Sequence, residues 1–284
     1  MKLLVFGQTG QVAQELARRA PAGVQCTFLG RDLADLSDPA ACAAAVAAYP
    51  ADAVINAAAW TAVDKAETEE AAATAVNGHS PGAMARACAA KGVPFLHVST
   101  DYVFDGKGNA PFLPNHPTAP VNAYGRSKLA GEVAIRASDA RHLILRTSWV
   151  VSAHGQNFVK TMLRLGTDRA SLNVVADQIG GPTPAAAIAD ALFSAATALC
   201  DKTDGGTHHF AGSPDTSWAD FARAIMAEAG LPCTIQDIPS SAYPTPAARP
   251  MNSRLDCSSL TQIFGIPRPD WRLGLSDIIK ELRA

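Results

Sequence analysis

Five short, almost continuously apolar runs occupy the first 150 residues: "KLLVFG", "VQCTFLG", "DAVINAA", "PFLHVST" and "HLILRTSW". Between them lie helical stretches: "QVAQELARRA", "PAACAAAVAAY", a long pattern over residues 63–91, and "NAYGRSKLAGEVAIRA". A strand that is apolar on both sides must be covered on both. Helical crossovers make successive strands parallel, so the pattern predicts an α/β fold with a doubly wound parallel sheet. The many alanines suit helices packed closely on a sheet, although compositional bias gives the same count.

Beyond Trp149 the pattern loosens. "NFVKTMLRLG" and "PAAAIADALFSAATAL" read as helices flanking a strand "LNVVAD", followed by "GTHHFAG" and the helix "SWADFARAIMAEAG". The Pro/Ser-rich "IPSSAYPTPAARPMNSRLD" reads as a long loop, of the kind that is either functional or disordered. The helix "GLSDIIKEL" follows it near the end of the chain. The chain has 284 residues, 48% of them hydrophobic, which is ample for a large core and more than one minimal domain needs.

A net charge of −2 leaves no basic footprint for nucleic acid. Six scattered cysteines without a C-x-x-C pair read as reduced thiols of a cytoplasmic protein, and no histidine–carboxylate spacing suggests a metal site. The first strand begins at once, with no room for a signal peptide, and no apolar run approaches the roughly 20 residues that span a bilayer.

In "VFGQTGQVAQELA", Gly7 and Gly10 follow the first strand and Ala13 sits on the opening helical turn. Small residues there let backbone approach a pyrophosphate, which rests on the N–H groups at the positive end of the helix. This G-x-x-G-x-x-A spacing departs from the common G-x-G-x-x-G, but its place on the first strand favours a dinucleotide over a bare turn. The expected division is therefore a Rossmann-type domain over 1–150, with segments returning at about 170–200 and 250–265. The remainder of 151–284 forms a smaller, sequence-discontinuous substrate cap. After the second strand, Arg31 and Asp32 stand side by side. An arginine suits the 2′-phosphate of NADPH and an acid the free ribose of NADH. The reading leans slightly to NADPH or dual use, with a solvated charge pair as the alternative.

"YGRSK" places Tyr124 and Lys128 four residues apart, on one face of a helix. A free phenol, with a pKa of about 10, is a poor acid–base group at neutral pH, and a nearby ammonium is expected to lower it. Ser99 and Thr100 end the strand "FLHVST", at the sheet edge where α/β folds present ligands. His97 reads as a packed core histidine, and His208 and His209 alternate across a strand, so they do not both face one ligand.

The glycine turn, the strand-end hydroxyl and the Tyr/Lys helix resemble the extended short-chain dehydrogenase/reductases that act on nucleotide sugars. "NAAAWTAVD" (56–64) belongs to the same likeness. Within that group, six segments in order resemble the dTDP-4-dehydrorhamnose reductase family: "STDYVFDGKG" (99–108), "PVNAYGRSKLAGE" (120–132), "LRTSWV" (145–150), "NFVKTMLRL" (157–165), "DQIGGPT" (177–183) and "RPMNSRLD" (249–256). The last three are the more specific.

The resemblance implies an NAD(P)H-dependent oxidoreductase that reduces the C4 ketone of dTDP-4-dehydro-L-rhamnose to dTDP-L-rhamnose. Tyr124 would be the proton donor, Lys128 would tune it and hold the nicotinamide ribose, and Thr100 would polarise the ketone. Cofactor contacts are implied at Gly7, Thr9, Gly10, Gln11 and Val12, at Arg31, Asp35 and Leu36, at Ala57, Ala58 and Ala59, and at Tyr124 and Lys128. Substrate contacts are implied at Thr61, Val63, Thr100, Asp101, Tyr102 and Trp149, with a core tryptophan as the equal alternative for the last. Arg249, Asn252 and Arg254 are implied substrate contacts as well; guanidinium groups suit the diphosphate, and at least one of the two is expected to reach it, with a surface salt bridge as the alternative.

Some members bridge a dimer with magnesium through acids on the first helix and on the helix after "PT". Glu15 is present here, but the later stretch keeps only Asp190, which argues against magnesium; a monomer or homodimer is expected. The alternatives are a related nucleotide-sugar epimerase or a noncatalytic NADP-binding regulatory subunit like that of methionine adenosyltransferase. A dehydratase is disfavoured because Thr100-Asp101-Tyr102 lacks the Asp-Glu pair typical of that chemistry.

Overall fold

The computed structural model describes residues 1–284. Six strands form one parallel sheet: β1 (Lys2–Phe6), β2 (Gln25–Leu29), β3 (Ala53–Asn56), β4 (Phe95–Thr100), β5 (His142–Thr147) and β6 (Gly206–His209). Their order is β6-β5-β4-β3-β1-β2. Alternate residues of each strand serve opposite faces. Leu3, Val5, Leu96, Leu143 and Leu145 pack on helices α1 (Gln11–Arg19) and α5 (Ala185–Cys200). Leu4, Phe6, Val54, Phe95 and Ile144 face α2 (Pro39–Ala48), α3 (Ser80–Lys91) and α4 (Ala123–Arg136). The doubly wound Rossmann-type architecture is therefore present, with a separate small layer on the C-terminal side of the sheet's chain.

That layer pairs Ser171–Val175 with Thr234–Ile238 in parallel and packs helices Phe158–Asp168, Trp218–Ala229 and Trp271–Arg283 around Phe221, Ile225 and Trp271. The sheet takes back part of each expected segment, 170–200 and 250–265, and one strand outside both. Helix α5, strand β6 and helix Ser258–Phe264 go back to the sheet, whereas residues 171–175 stay in the small layer. β6 reads Gly-Thr-His-His, without the apolar signature of the other strands, because it is an edge strand supported by side-chain contacts. His208 bonds Ser259 on one side, and His209 packs edge-on to Phe104 on the other.

The helical pattern over 63–91 is not one helix. It breaks once, after Ala66, and resumes at Glu70 as a helix that passes through a π-helical turn at Ala75–His79 into α3. Helix α4 enters tightly. A side chain at Gly125 would collide with the carbonyl oxygen of Tyr102. Asn122 caps its start by accepting from the Gly125 amide at 2.8 Å, and Glu67 accepts from Ala123 N–H at 2.8 Å.

A buried ion pair fastens α4 to the sheet. Glu132 is wholly buried and meets Arg146 of β5 through two hydrogen bonds of 2.8 and 2.6 Å, while Ser99 of β4 donates to it at 2.7 Å. Burial alone would raise the Glu132 carboxyl; the hydrogen bonds and charge of Arg146 outweigh it and hold the group below the usual carboxylate range. Removing one partner of such a pair strands the other charge in the interior. Glu132→Ala is therefore expected to lower the unfolding free energy by about 3–5 kcal/mol in urea denaturation at neutral pH. Because the folded-state carboxyl is depressed, its stabilisation is fully present above the unfolded carboxyl range and is lost as pH falls through the folded value.

Candidate active site

The chain leaves β1 for β2 on one side and then crosses back to β3 on the other, so β1 and β3 flank the topological switch point where such sheets bind ligands. The turn after β1 lies there. Gly7 has φ +111°, a conformation L side chains rarely adopt, and a Cβ would press to 3.3 Å on the backbone of Ala57 and Ala58 after β3. Helix α1 begins at Gly10 with no side-chain cap and no acid in its first turn. Its first amide groups thus face outward as an uncapped positive end, which fits a pyrophosphate.

The other implied cofactor residues divide by what their side chains already do. Thr9, Arg31 and Ala59 are exposed, and Ala57 and Ala58 line the turn. Val12 and Leu36 are buried in the core and offer only backbone. Gln11 points away from the turn, with its carbonyl oxygen accepting from Ser152 at 2.9 Å and Asn157 at 3.0 Å. Asp35 accepts from the Ser37 amide at 2.8 Å, and bonds from the backbone and side chain of Ser37 hold its carboxyl low.

Thr100 and Tyr124 converge at the end of β4. The Thr100 side chain lies beside the Tyr124 phenol, and its hydroxyl donates to Asp101 at 3.1 Å. Tyr102 packs edge-on to Tyr124, with ring centroids 5.4 Å apart. Desolvation pushes the Tyr124 phenol up to about 12 against the opposing influence of Thr100, so at neutral pH it carries its proton. Lys128 does not lower it, contrary to the expectation from spacing. One turn further along, its nitrogen turns to the sheet, donating to the Val98 carbonyl at 2.7 Å and lying 3.1 Å from His97 Nε2. Burial brings Lys128 down to about 8. Asp101 is pushed up to about 6 by burial, and its Oδ2 has no hydrogen bond.

Around this centre, Thr61 is exposed and Val63 partly so. Trp149 adopts φ +50°, in the left-handed region, and lies flat on Trp218 of the small layer with centroids 3.6 Å apart. Arg249 reaches over from the 238–256 loop and pairs with Asp64 at 2.8 Å. Arg254 accompanies Asn252 Oδ1 at 3.0 Å. Asn252 is buried and its amide donates to the carbonyls of Lys107 and Ala110, so it ties two loops together instead of facing the crevice. The loop is thus ordered, and Asn122 at the start of α4 donates to the Ala248 carbonyl at 2.8 Å.

Asn77, in the π-helical turn, escaped the sequence reading. Buried, it accepts from the Trp60 amide at 2.8 Å and donates to the Trp60 carbonyl at 3.0 Å and to Ser127 of α4 at 2.9 Å. It fixes the loop after β3 to the Tyr124 helix. Only the irregular helical turn could have marked it, and the flanking alanines hide that.

The acids considered for magnesium are met by the chain's own cations. Arg18 bonds Glu281 at 2.6 Å and His154 at 2.8 Å and lies 3.6 Å from Glu15; Arg19 holds Asp190 at 2.8 Å. A guanidinium within the cluster, and an imidazole among its donors, do not fit a magnesium ion, which takes oxygen ligands and water.

The chain matches the family model described as the RmlD substrate binding domain over residues 1–284. It is 45% identical to a dTDP-4-dehydrorhamnose reductase of Burkholderia thailandensis, covering 99% of both chains. Its structure resembles that of a dTDP-4-dehydrorhamnose reductase from Clostridium acetobutylicum with TM-score 0.94, 32% identity and full coverage of both chains. It also resembles one from Bacillus anthracis in complex with NADP, with TM-score 0.92, 30% identity and 99% coverage of both.

Removing the Asn77 amide leaves buried partners unsatisfied. Asn77→Ala is expected to lower the unfolding free energy by about 1–3 kcal/mol and to expose the Trp60 amide to faster hydrogen exchange, read by mass spectrometry or NMR.

Proposed function

The chain belongs to the dTDP-4-dehydrorhamnose reductase family, and from that membership we propose that it reduces the C4 ketone of dTDP-4-dehydro-L-rhamnose with NADPH, giving dTDP-L-rhamnose. The observation that carries the reading is the convergence of a protonated phenol, Tyr124, and a strand-end alcohol, Thr100, beside a glycine turn and an uncapped helix suited to a dinucleotide.

When bound, the reduced nicotinamide supplies the hydride. The chain's own residues do the rest. Thr100 swings its hydroxyl proton from Asp101 to the ketone oxygen, Tyr124 donates to the same oxygen, and Tyr124 gives up its proton there as the C4 hydroxyl forms. A phenol pushed to about 12 in the resting site is reliably protonated. Lys128, one turn behind and brought down to about 8, is the group that resupplies the proton the phenol gives up. Asp101, buried behind Thr100, accepts from that hydroxyl and orients it, and Trp149, stacked on Trp218, offers an apolar indole edge to the pyranose. The guanidinium groups of Arg249 and Arg254 suit the substrate's diphosphate, which would draw them from Asp64 and Asn252. For the cofactor, exposed Arg31 after β2 suits a 2′-phosphate, and the B. anthracis relative holds NADP.

Two measurements test this. Tyr124→Phe is expected to cut kcat for NADPH oxidation with dTDP-4-dehydro-L-rhamnose by about 10²–10⁴-fold while NADPH affinity stays within a few-fold; an unchanged kcat removes the mechanism. Arg31→Ala is expected to raise KM for NADPH roughly tenfold, the worth of about 1.4 kcal/mol, with KM for NADH unchanged.

A further inference from the structure

Behind the Tyr124 helix, three side chains form a buried line across two strands. Asn56 ends β3 and His97 lies beside it on β4, both without solvent exposure, and Lys128 follows. Asn56 Nδ2 is 3.1 Å from His97 Nδ1, and His97 Nε2 is 3.1 Å from Lys128 Nζ.

The orientation of the asparagine amide is fixed from outside this line. Its Oδ1 accepts from the Ala58 N–H at 3.1 Å, so the group facing His97 is the NH₂. A donor facing Nδ1 requires that nitrogen to be the bare acceptor, which leaves the imidazole proton on Nε2. A second ring proton is opposed by burial, which holds His97 well below its ordinary range. Phe95, two residues earlier on the same strand face, stacks near the ring at 6.2 Å between centroids. The remaining N–H therefore points at the lysine nitrogen.

We infer that Asn56 and His97 are positioning residues for Lys128, presenting a donor N–H to its amine so that protonating the lysine must break a hydrogen bond already made. A neutral amine satisfies the site fully: it accepts from Nε2–H and donates to the Val98 carbonyl. An ammonium would meet Nε2–H donor to donor. The titratable and charged groups facing Lys128 are His97 from β4 and Glu132 from its own helix. Glu132 favours the charged form, but Arg146, Arg136 and Ser99 already engage its oxygens. The lysine is thereby set to gain and lose its proton near neutral pH, one turn behind the phenol it serves. The inference deepens the proposed reduction and rests on it for the role of Lys128, but its structural core concerns the resting protein alone.

The test has two arms on the full-length protein. ¹⁵N-labelled histidine NMR without substrate is expected to show His97 neutral and protonated on Nε2 from pH 6 to 9; an Nδ1–H tautomer or an imidazolium overturns the inference. Asn56→Asp supplies an acceptor to both Ala58 N–H and Nδ1–H, reverses the tautomer and gives the lysine an acceptor. The alkaline limb of its pH–kcat/KM profile is expected to move up by about one unit, a tenfold gain in proton affinity. His97→Gln, whose carboxamide oxygen can face the lysine, is expected to move it the same way. A limb that stays in place in both variants overturns the inference. Absence of wild-type turnover would instead refute the reductase reading, while the tautomer remains measurable.

Discussion

The crevice depends on the ion pair between Glu132 and Arg146. Both groups are taken out of water, so neither can be left alone, and the pair holds only if β5, β4 and α4 keep one relative placement. Ser99, next to Thr100 on β4, bonds the same carboxylate. The registration of the strand-end hydroxyl against the tyrosine helix is thus set by a hydrogen-bonded charge two turns further along the helix. The tight seat of Gly125 on Tyr102 fixes the other end. Between these anchors Tyr124 has little freedom to drift from Thr100.

The structure divides the work between a rigid sheet and loops fastened to it. β1 and β3 present the glycine turn and the small residues facing it, and Asn77 locks the loop after β3 onto α4. The small layer adds its contributions from the side. Trp218 backs Trp149, and the 238–256 loop is held by Asn122 and Asp64. Each attachment is made by a side chain reaching across from a distant segment, so the loops around the crevice are fixed by long-range contacts.

Much of this was legible in the sequence where the signal is local. Apolar runs separated by helical stretches specify a parallel sheet, Gly7 and Gly10 mark the turn, and Tyr124 and Lys128 announce themselves by spacing. What stayed hidden depends on residues far apart in the chain. β6 is an edge strand of threonine and histidines, with support that comes from residues about fifty positions later. Lys128 turns to His97 and Val98 instead of the phenol because of where β4 runs, which no helical spacing reveals. Asn252 sits in a motif that suggests a ligand contact, yet its amide bridges the carbonyls of Lys107 and Ala110. The π-helical turn at Asn77 falls inside an unbroken helical pattern.

The pairing of Arg249 with Asp64 has a consequence for the loop that carries it. An anion that reaches this guanidinium meets a counterion already in place. Asp64 also accepts from the Ala247 amide, so it grips the loop at two points. Taking Arg249 away from its carboxylate would therefore loosen one of the two tethers between the 238–256 segment and the stretch that follows β3.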